Sequence, residues 1–256
     1  MTDRRLAIMK FGGSILRDRS SLDSVVEECR HAIEDGSRVI AVISAYRGLT
    51  DSLERSWLEA GNEDRPDRAT ALARGELTTA EDVSGALLST GIRSTVADLL
   101  AIGFRAEGDA DDADPIGLDP VGVESEFRAH DVLVVPGFLA IGTDGRLVLL
   151  GRGGSDLTAI HLACHLNPER CELIKDVDGL YSADPSDGDG DEHRFRRIGF
   201  DDALALGDRV VQPKALLLAR KHRLEFNVRA IGGSVGTTVG PGPTDPEPRS
   251  RTTRTS

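Results

Sequence analysis

Apolar residues fall into two kinds of stretch along this chain. Some form short unbroken runs, and others recur every three or four positions. Leu6 to Met9 is the first unbroken run and reads as a buried strand. Leu22, Val25, Val26, Cys29, Ala32 and Ile33 then recur at helical spacing, with Ser20 or Ser21 placed to cap the helix and Gly36 to end it. Val39 to Ile43 is a second strand, ending at Ser44, and the whole predicts a β-turn-α-β unit with a right-handed parallel crossover.

The alternation continues. Glu81 to Ile102 predicts a helix with Val83, Leu87, Leu88, Ile92, Val96, Leu99 and Leu100 on its apolar face. Gly61 to Arg68 is polar without a clear period, and Gly108 to Asp114 is an acidic loop. Val121 to Ala129 reads as a short helix. Val132 to Val135 and Arg146 to Leu150 read as strands, with Thr143-Asp144-Gly145 as the hairpin turn between them. Ser155 to Leu166 predicts a helix, Glu172 to Lys175 a strand, and Asp184 to Glu192 a loop rich in Pro, Gly and Asp. Helices over Phe200 to Leu206 and Pro213 to His222 and a strand over Leu224 to Ala230 complete the pattern. Residues 241–256 are rich in Pro, Thr, Ser and Arg and read as a disordered tail. Strands alternating with helices, without a dividing linker, predict an α/β chain. The expected fold is one three-layer αβα sandwich over residues 1–240, with a mainly parallel central sheet.

Two glycine motifs interrupt this pattern where strands end: Lys10-Phe11-Gly12-Gly13-Ser14 and Gly151-Arg152-Gly153-Gly154-Ser155-Asp156. Glycines there let backbone N–H groups approach an anion, and a following helix N-terminus adds partial positive charge. Lys10 and Arg152 add full charges. Two such turns suit two anionic groups held face to face, as phosphoryl transfer requires. The first spacing is not that of a Walker A loop, because the lysine precedes the glycines. Arg152 and Asp156 suit a zwitterionic amino acid, the guanidinium gripping a carboxylate and the aspartate accepting from an ammonium group. Asp176-Val177-Asp178-Gly179-Leu180-Tyr181 follows a strand and suits a ribose and a base. Each motif also has a purely structural reading: a tight turn with an exposed lysine, an Arg–Asp pair stapling loop to helix, and an Asp-Gly turn over a packed tyrosine.

Composition narrows the partners. The 256 residues carry a net charge of −12, which argues against a general nucleic-acid or acidic-membrane surface and favours solubility. No apolar run is long enough to span a bilayer, and the charged N-terminus lacks a signal peptide's apolar stretch, so a cytoplasmic location is expected. Cys29, Cys164 and Cys171 have no metal-ligand spacing, and the lysines are only Lys10, Lys175, Lys214 and Lys221.

Taken in order, Lys10 to Ser14, Ile43-Ser44-Ala45, Gly151 to Asp156 with Leu157-Thr158-Ala159, Asp176 to Tyr181, and Val211-Gln212-Pro213 resemble the aspartate kinase branch of the amino acid kinase family. The resemblance runs from Ala7 to about Gly240 and implies the carbamate kinase-like fold. It implies ATP-dependent phosphorylation of the side-chain carboxylate of L-aspartate, or of a related small carboxylate, with Mg²⁺ held by phosphates and water rather than by a protein ligand. A homodimer is expected. By matching motif, Lys10, Gly12, Gly13 and Ser14 would hold the triphosphate, and Asp176 and Tyr181 the nucleotide. Ser44 and Thr50 would border the amino-acid site. Glu76 looks like the family glutamate that meets the substrate ammonium, and Arg152 would grip the α-carboxylate with Asp156 beside it.

The departures are as informative. Lys175 stands where the family often has Thr, and Ser186 where an arginine is usual. Arg209 replaces a phosphate-holding lysine, a task that falls to Arg209 or Lys214. Tyr46-Arg47 replaces small residues near the substrate loop. Only about 25 residues separate Thr50 from Glu76, where the family has a longer helical insertion, and the chain stops without the C-terminal ACT modules. The usual allosteric lysine or threonine site is therefore not expected. These departures motivate two rival readings: a kinase of the same fold for another small carboxylate or phosphate, or a non-catalytic nucleotide-binding regulatory subunit.

Overall fold

The computed structural model describes residues 5–61, 67–183, 193–207 and 211–247. The strands are β1 (Arg5–Phe11), β2 (Ser37–Ile43), β3 (Ser94–Val96), β4 (Arg105–Glu107), β5 (Asp114–Gly117), β6 (Val132–Pro136), β7 (Leu139–Gly142), β8 (Leu147–Leu149), β9 (Arg170–Lys175), β10 (Phe195–Gly199), β11 (Phe226–Ala230), β12 (Gly236–Gly240) and β13 (Asp245–Pro246). The helices are α1 (Leu22–Glu34), α2 (Leu49–Ala60), α3 (Arg68–Ser89), α4 (Pro120–Glu126), α5 (Gly154–Leu166), α6 (Phe200–Ala205) and α7 (Pro213–His222).

Nine strands form the main sheet in the order β13-β10-β12-β11-β9-β1-β2-β6-β3. Its central pairings are parallel, and only β12 on β11 and β13 on β10 are antiparallel. Side chains alternate between the faces of a strand. In β1, Ala7, Met9 and Phe11 pack with Val25, Val26, Cys29, Val83 and Leu87 of α1 and α3. Ile8 packs on the opposite face with Leu157, Ile160, Leu173 and Leu216, under α5 and α7. Burial on both sides explains why these strands read as unbroken apolar runs. It also explains why α5, sandwiched in the core, is apolar almost all round. The expected three layers are present.

The structure departs from the sequence reading in several places. Helix α3 starts earlier and stops sooner than expected. Asp67 accepts the Thr70 N–H to cap its start, and Thr90 and Gly91 close its end. The apolar positions beyond that stop belong to the short edge strand β3 and to a turn, where Leu99 and Ile102 are still buried. The Asp144 turn joins β7 to β8, not β6 to β8. Strand β7 belongs to a second sheet, β5-β4-β7-β8, which periodicity did not reveal because its strands are three or four residues long. Order continues past residue 240: β13 pairs with β10, and Arg194 makes two 2.9 Å bonds to Glu247. The Asp184–Glu192 loop and residues 248–256 lie outside the described residues.

The first glycine turn is not followed directly by a helix. The Gly12 carbonyl accepts N–H groups from both Ile15 and Leu16 at 2.9 Å, and α1 begins only after a single 3₁₀ turn capped by Asp18. Only the second turn delivers a helix N-terminus to the site.

A buried ion network binds α1, β9 and β11 together. The Arg229 guanidinium donates to Glu28 at 2.7 and 3.0 Å and to Glu172 at 3.0 Å, while Gly232 N–H donates to Glu28 at 2.6 Å. Removing the cation strands two carboxylates, so Arg229→Met should destabilise the protein by about 3–5 kcal/mol. Denaturant unfolding of the variant measures this, and an unchanged midpoint would show the network to be dispensable.

Candidate active site

The carboxyl ends of β1, β2, β6 and β9 meet the N-terminus of α5, the usual place for a ligand in an open parallel sheet. Lys10 is the penultimate residue of β1, within its buried run. Its side chain emerges on the α5 face, as the alternation from Ile8 dictates. A Cβ on Gly12 would stand 2.9 Å from Lys10 Nζ, so glycine keeps the path of the ammonium open. Gly153 is the N-cap of α5 with φ 71°, and a Cβ there would collide with Gln212 at the start of α7. That close approach locks the second glycine turn against α7.

Asp156 lies in the first turn of α5, where the helix favours negative charge. Lys10 Nζ is 2.6 Å from its Oδ1, and Lys175 Nζ is 3.0 Å from its Oδ2. The side chains of Lys10, Lys175 and Asp156 are only 8%, 14% and 4% exposed. Burial alone would raise the Asp156 pKa, but the two lysines outweigh it and hold the carboxyl below its usual range. Burial pushes Lys10 down to about 8; Asp156 opposes the fall and the like charge of Lys175 adds to it. The motif suggested Asp156 as an acceptor for a substrate ammonium. The structure shows both of its oxygens engaged by the protein's own lysines.

A second buried carboxylate faces the opposite way electrically. Glu76 sits on α3 beside Ala45, just past the end of β2. Burial pushes its pKa up to about 7, against the backbone N–H groups of Glu76 itself and Ala45. Its Oε2 is buried with no hydrogen-bond partner among the described residues. Ser44 donates its N–H to the Phe11 carbonyl at 3.1 Å, and Gly13 packs close to Ala45 and Arg47. The first glycine turn, Ser44 and Glu76 are thereby brought together. Thr50 stands half-buried in the first turn of α2. Tyr46 ties this loop to α3: its N–H donates to Thr79 Oγ1 and its hydroxyl to Asp82.

The remaining expected residues are more dispersed. Arg152 is exposed at the tip of the second turn, and Ser14 is half-buried in the first. Asp176 is exposed next to Lys175, and the Tyr181 hydroxyl donates to Asp178 at 2.7 Å. Lys214 gives its ammonium to Asp112 at 2.9 Å, Asp114 at 3.0 Å and the Ala113 carbonyl. Its charge is therefore already countered by the acidic loop. Arg209 lies outside the described residues. Sequence reasoning noted Lys175 only as a departure and missed its place on Asp156. The signal was its parity with Leu173 on a buried strand, which puts it on the same face as Lys10.

The chain is similar to known proteins in both sequence and fold. A sequence model of the amino acid kinase family matches residues 5–229. An aspartokinase of Thermus thermophilus is 32% identical over 233 residues, covering 88% of this chain and 56% of that protein. The chain thus spans about half the length of the curated relatives it matches. Among solved structures, aspartate kinase from Synechocystis superposes with a TM-score of 0.79 at 24% identity, covering 93% of this chain and 40% of that one. E. coli aspartokinase III in complex with aspartate and ADP gives 0.78 at 22% identity, covering 92% and 64%. With its sheet order, its two glycine turns and the match over 5–229, the chain belongs to the amino acid kinase family.

Proposed function

We propose that this chain catalyses ATP-dependent phosphorylation of the side-chain carboxylate of L-aspartate, giving 4-phospho-L-aspartate. The observation that carries the reading is the division of charge in the site. A buried pair of ammonium groups stands on Asp156, and a buried carboxylate, whose Oε2 has no hydrogen-bond partner among the described residues, stands at Glu76. The first matches a phosphate chain and the second a substrate ammonium. The aspartokinase names of the relatives, and the aspartate and ADP bound in the E. coli structure, support the choice of substrates.

In this reading the attacking group needs no strong base, because a carboxylate is ionised at neutral pH. Catalysis is positioning plus neutralisation of charge on the transferring phosphoryl group. Lys10 neutralises that charge, and the backbone of Gly12, Gly13 and Ser14 lies along the triphosphate. Asp176 and Tyr181 meet the nucleoside. Glu76 receives the ammonium of the amino acid, Arg152 grips its α-carboxylate, and Ser44 and Thr50 border it. Lys214 joins only where phosphate displaces its aspartates. Among the described residues no cluster of three or more His, Cys, Asp and Glu could hold a metal, so the proposal assigns the Mg²⁺ ligands to phosphate and water. Bound there, Mg²⁺ supplies further charge neutralisation.

ADP release measured across aspartate, glutamate, N-acetylglutamate and small phosphates tests the reading. Aspartate-dependent release supports it. Turnover on another acceptor alone, or nucleotide binding without turnover on any, overturns it.

Three substitutions probe the roles. Lys10→Ala should lower turnover about 10²-fold or more with little change in amino-acid binding, since its charge acts most on the transition state. Steady-state kinetics with near-normal kcat would remove it from the reaction. Arg152→Lys should raise KM for the amino acid and leave ATP affinity unchanged, because lysine keeps the charge but loses the bidentate grip. A fall in ATP affinity instead would reverse the assignment of the two turns. Glu76→Gln should raise KM for the amino acid and yet stabilise the fold. With a folded pKa of about 7 against an ordinary 4.5, the stability contributed by Glu76 is full below pH 4.5 and lost as pH rises through 7. The variant should therefore gain up to about 3 kcal/mol above pH 7 and nothing below pH 4.5, measured by denaturant unfolding at about pH 4 and about pH 8.

A further inference from the structure

Lys175 is a departure from the family resemblance, and the structure places it in the centre of the site. In the parallel pairing of β1 with β9, Lys10 stands opposite Leu173. Side chains alternate along a strand, so Lys175, two residues beyond Leu173, projects on the same face as Lys10. Its ammonium lies 3.0 and 3.4 Å from the two oxygens of Asp156, the carboxylate that also holds Lys10.

The charge count of this cluster does not close. Among the described residues two ammonium groups share one carboxylate, leaving a surplus of one positive charge in a nearly dry place. Buried surplus charge is costly unless an opposite charge meets it. The strain registers on Lys10, whose ammonium is weakened by burial and by Lys175. A staple for Asp156 would not need a second lysine, because Lys10 already bonds it at 2.6 Å. Nor does α5 need one to stay in place. Thr158 Oγ1 accepts the Phe138 N–H at 3.2 Å and donates to the Gly154 carbonyl, tying the helix to the loop after β6. The cluster is built for a polyanion that brings at least one more negative charge.

The family resemblance puts a threonine at 175, where this chain has lysine. We propose that Lys175 is a second phosphate-facing cation, which flanks the terminal phosphoryl group of the nucleotide together with Lys10. Asp156 holds the two ammonium groups apart and aimed at one anion. Lys175 acts by donating N–H bonds to phosphoryl oxygens and transfers no proton. The inference rests on the phosphoryl-transfer reading, but nucleotide binding tests it without knowledge of the acceptor.

The experiment compares the wild-type chain with Lys175→Met, Lys175→Thr and Lys175→Arg by calorimetric titration with ADP and with a non-hydrolysable ATP analogue, alongside kcat and KM. A cation facing the terminal phosphoryl group should matter for the analogue and little for ADP. Lys175→Met and Lys175→Thr should each lose about tenfold in affinity for the analogue relative to ADP. On the acceptor that the wild type uses, kcat should fall about tenfold or more with amino-acid KM nearly constant, and Lys175→Arg should recover part of both losses. Met preserves much of the apolar stem; should it unfold the chain, the Thr and Arg variants carry the same comparison. Equal losses for ADP and analogue, or no loss for either, would overturn the proposal. A selective loss for the analogue in a chain that phosphorylates no acceptor in the panel would sink the aspartate reading and leave Lys175 where we place it.

Discussion

The site depends on one carboxylate held between two ammonium groups. Asp156 is buried away from solvent, and it stays ionised because Lys10 and Lys175 reach its two oxygens from adjacent strands. Three elements must be in register for this to happen. β1 and β9 must be neighbours, both must end at the same level, and α5 must begin directly above them. A shift of one residue in either strand would turn its lysine to the other face. The carboxylate thus fixes the positions of the cations, and the cations keep the helix start charged. Without Asp156 the two ammonium groups would repel each other in a low-dielectric space.

The same burial acts with opposite sign at the two ends of the site. It weakens the ammonium of Lys10 and strengthens the hold of Glu76 on its proton, bringing both toward neutral pH. A polyphosphate at the first and an ammonium group at the second would reverse both effects. In the proposed function, binding of the two substrates would be linked to ionisation of the groups that receive them. In that function the division of charge would also orient an amino acid, its ammonium toward Glu76 and the anion toward Lys10 and Lys175.

The rigid frame is provided elsewhere. The Arg229, Glu28 and Glu172 network ties α1 to β9 and β11 below the site, and the hydrogen bonds of Thr158 tie α5 to the loop after β6. Loops carry much of the chemistry, but the residues that set its geometry stand on strands and helices. Tyr46, a departure from the family pattern, anchors the loop next to Glu76 through Thr79 and Asp82. The Glu76 side of the site is thus braced by α3.

Unbroken apolar runs and helical periodicity determined β1, β2, β6, β9, α1, α5 and α7, because each buries a continuous face whose period is written locally. The two glycine turns were legible for the same reason: a strand end, glycines and a basic residue lie within a few positions. What stayed hidden was non-local or short. Strands β4, β5, β7 and β8 have too few residues to show a period. The start of α3, which carries Glu76, is marked by the Asp67 cap rather than by an apolar stripe, and its end is set by Thr90 and Gly91 against an apolar pattern that runs on. Glu28 and Arg229 lie 201 positions apart, and no local rule pairs them. The sequence by itself determined the layers and which residue types stand at the strand ends. Only the tertiary structure decided that Asp156 faces two lysines and that no cation among the described residues meets Glu76 Oε2, because charge pairing in a buried site depends on which strands are neighbours, and neighbourhood in a sheet is not written in the order of the chain.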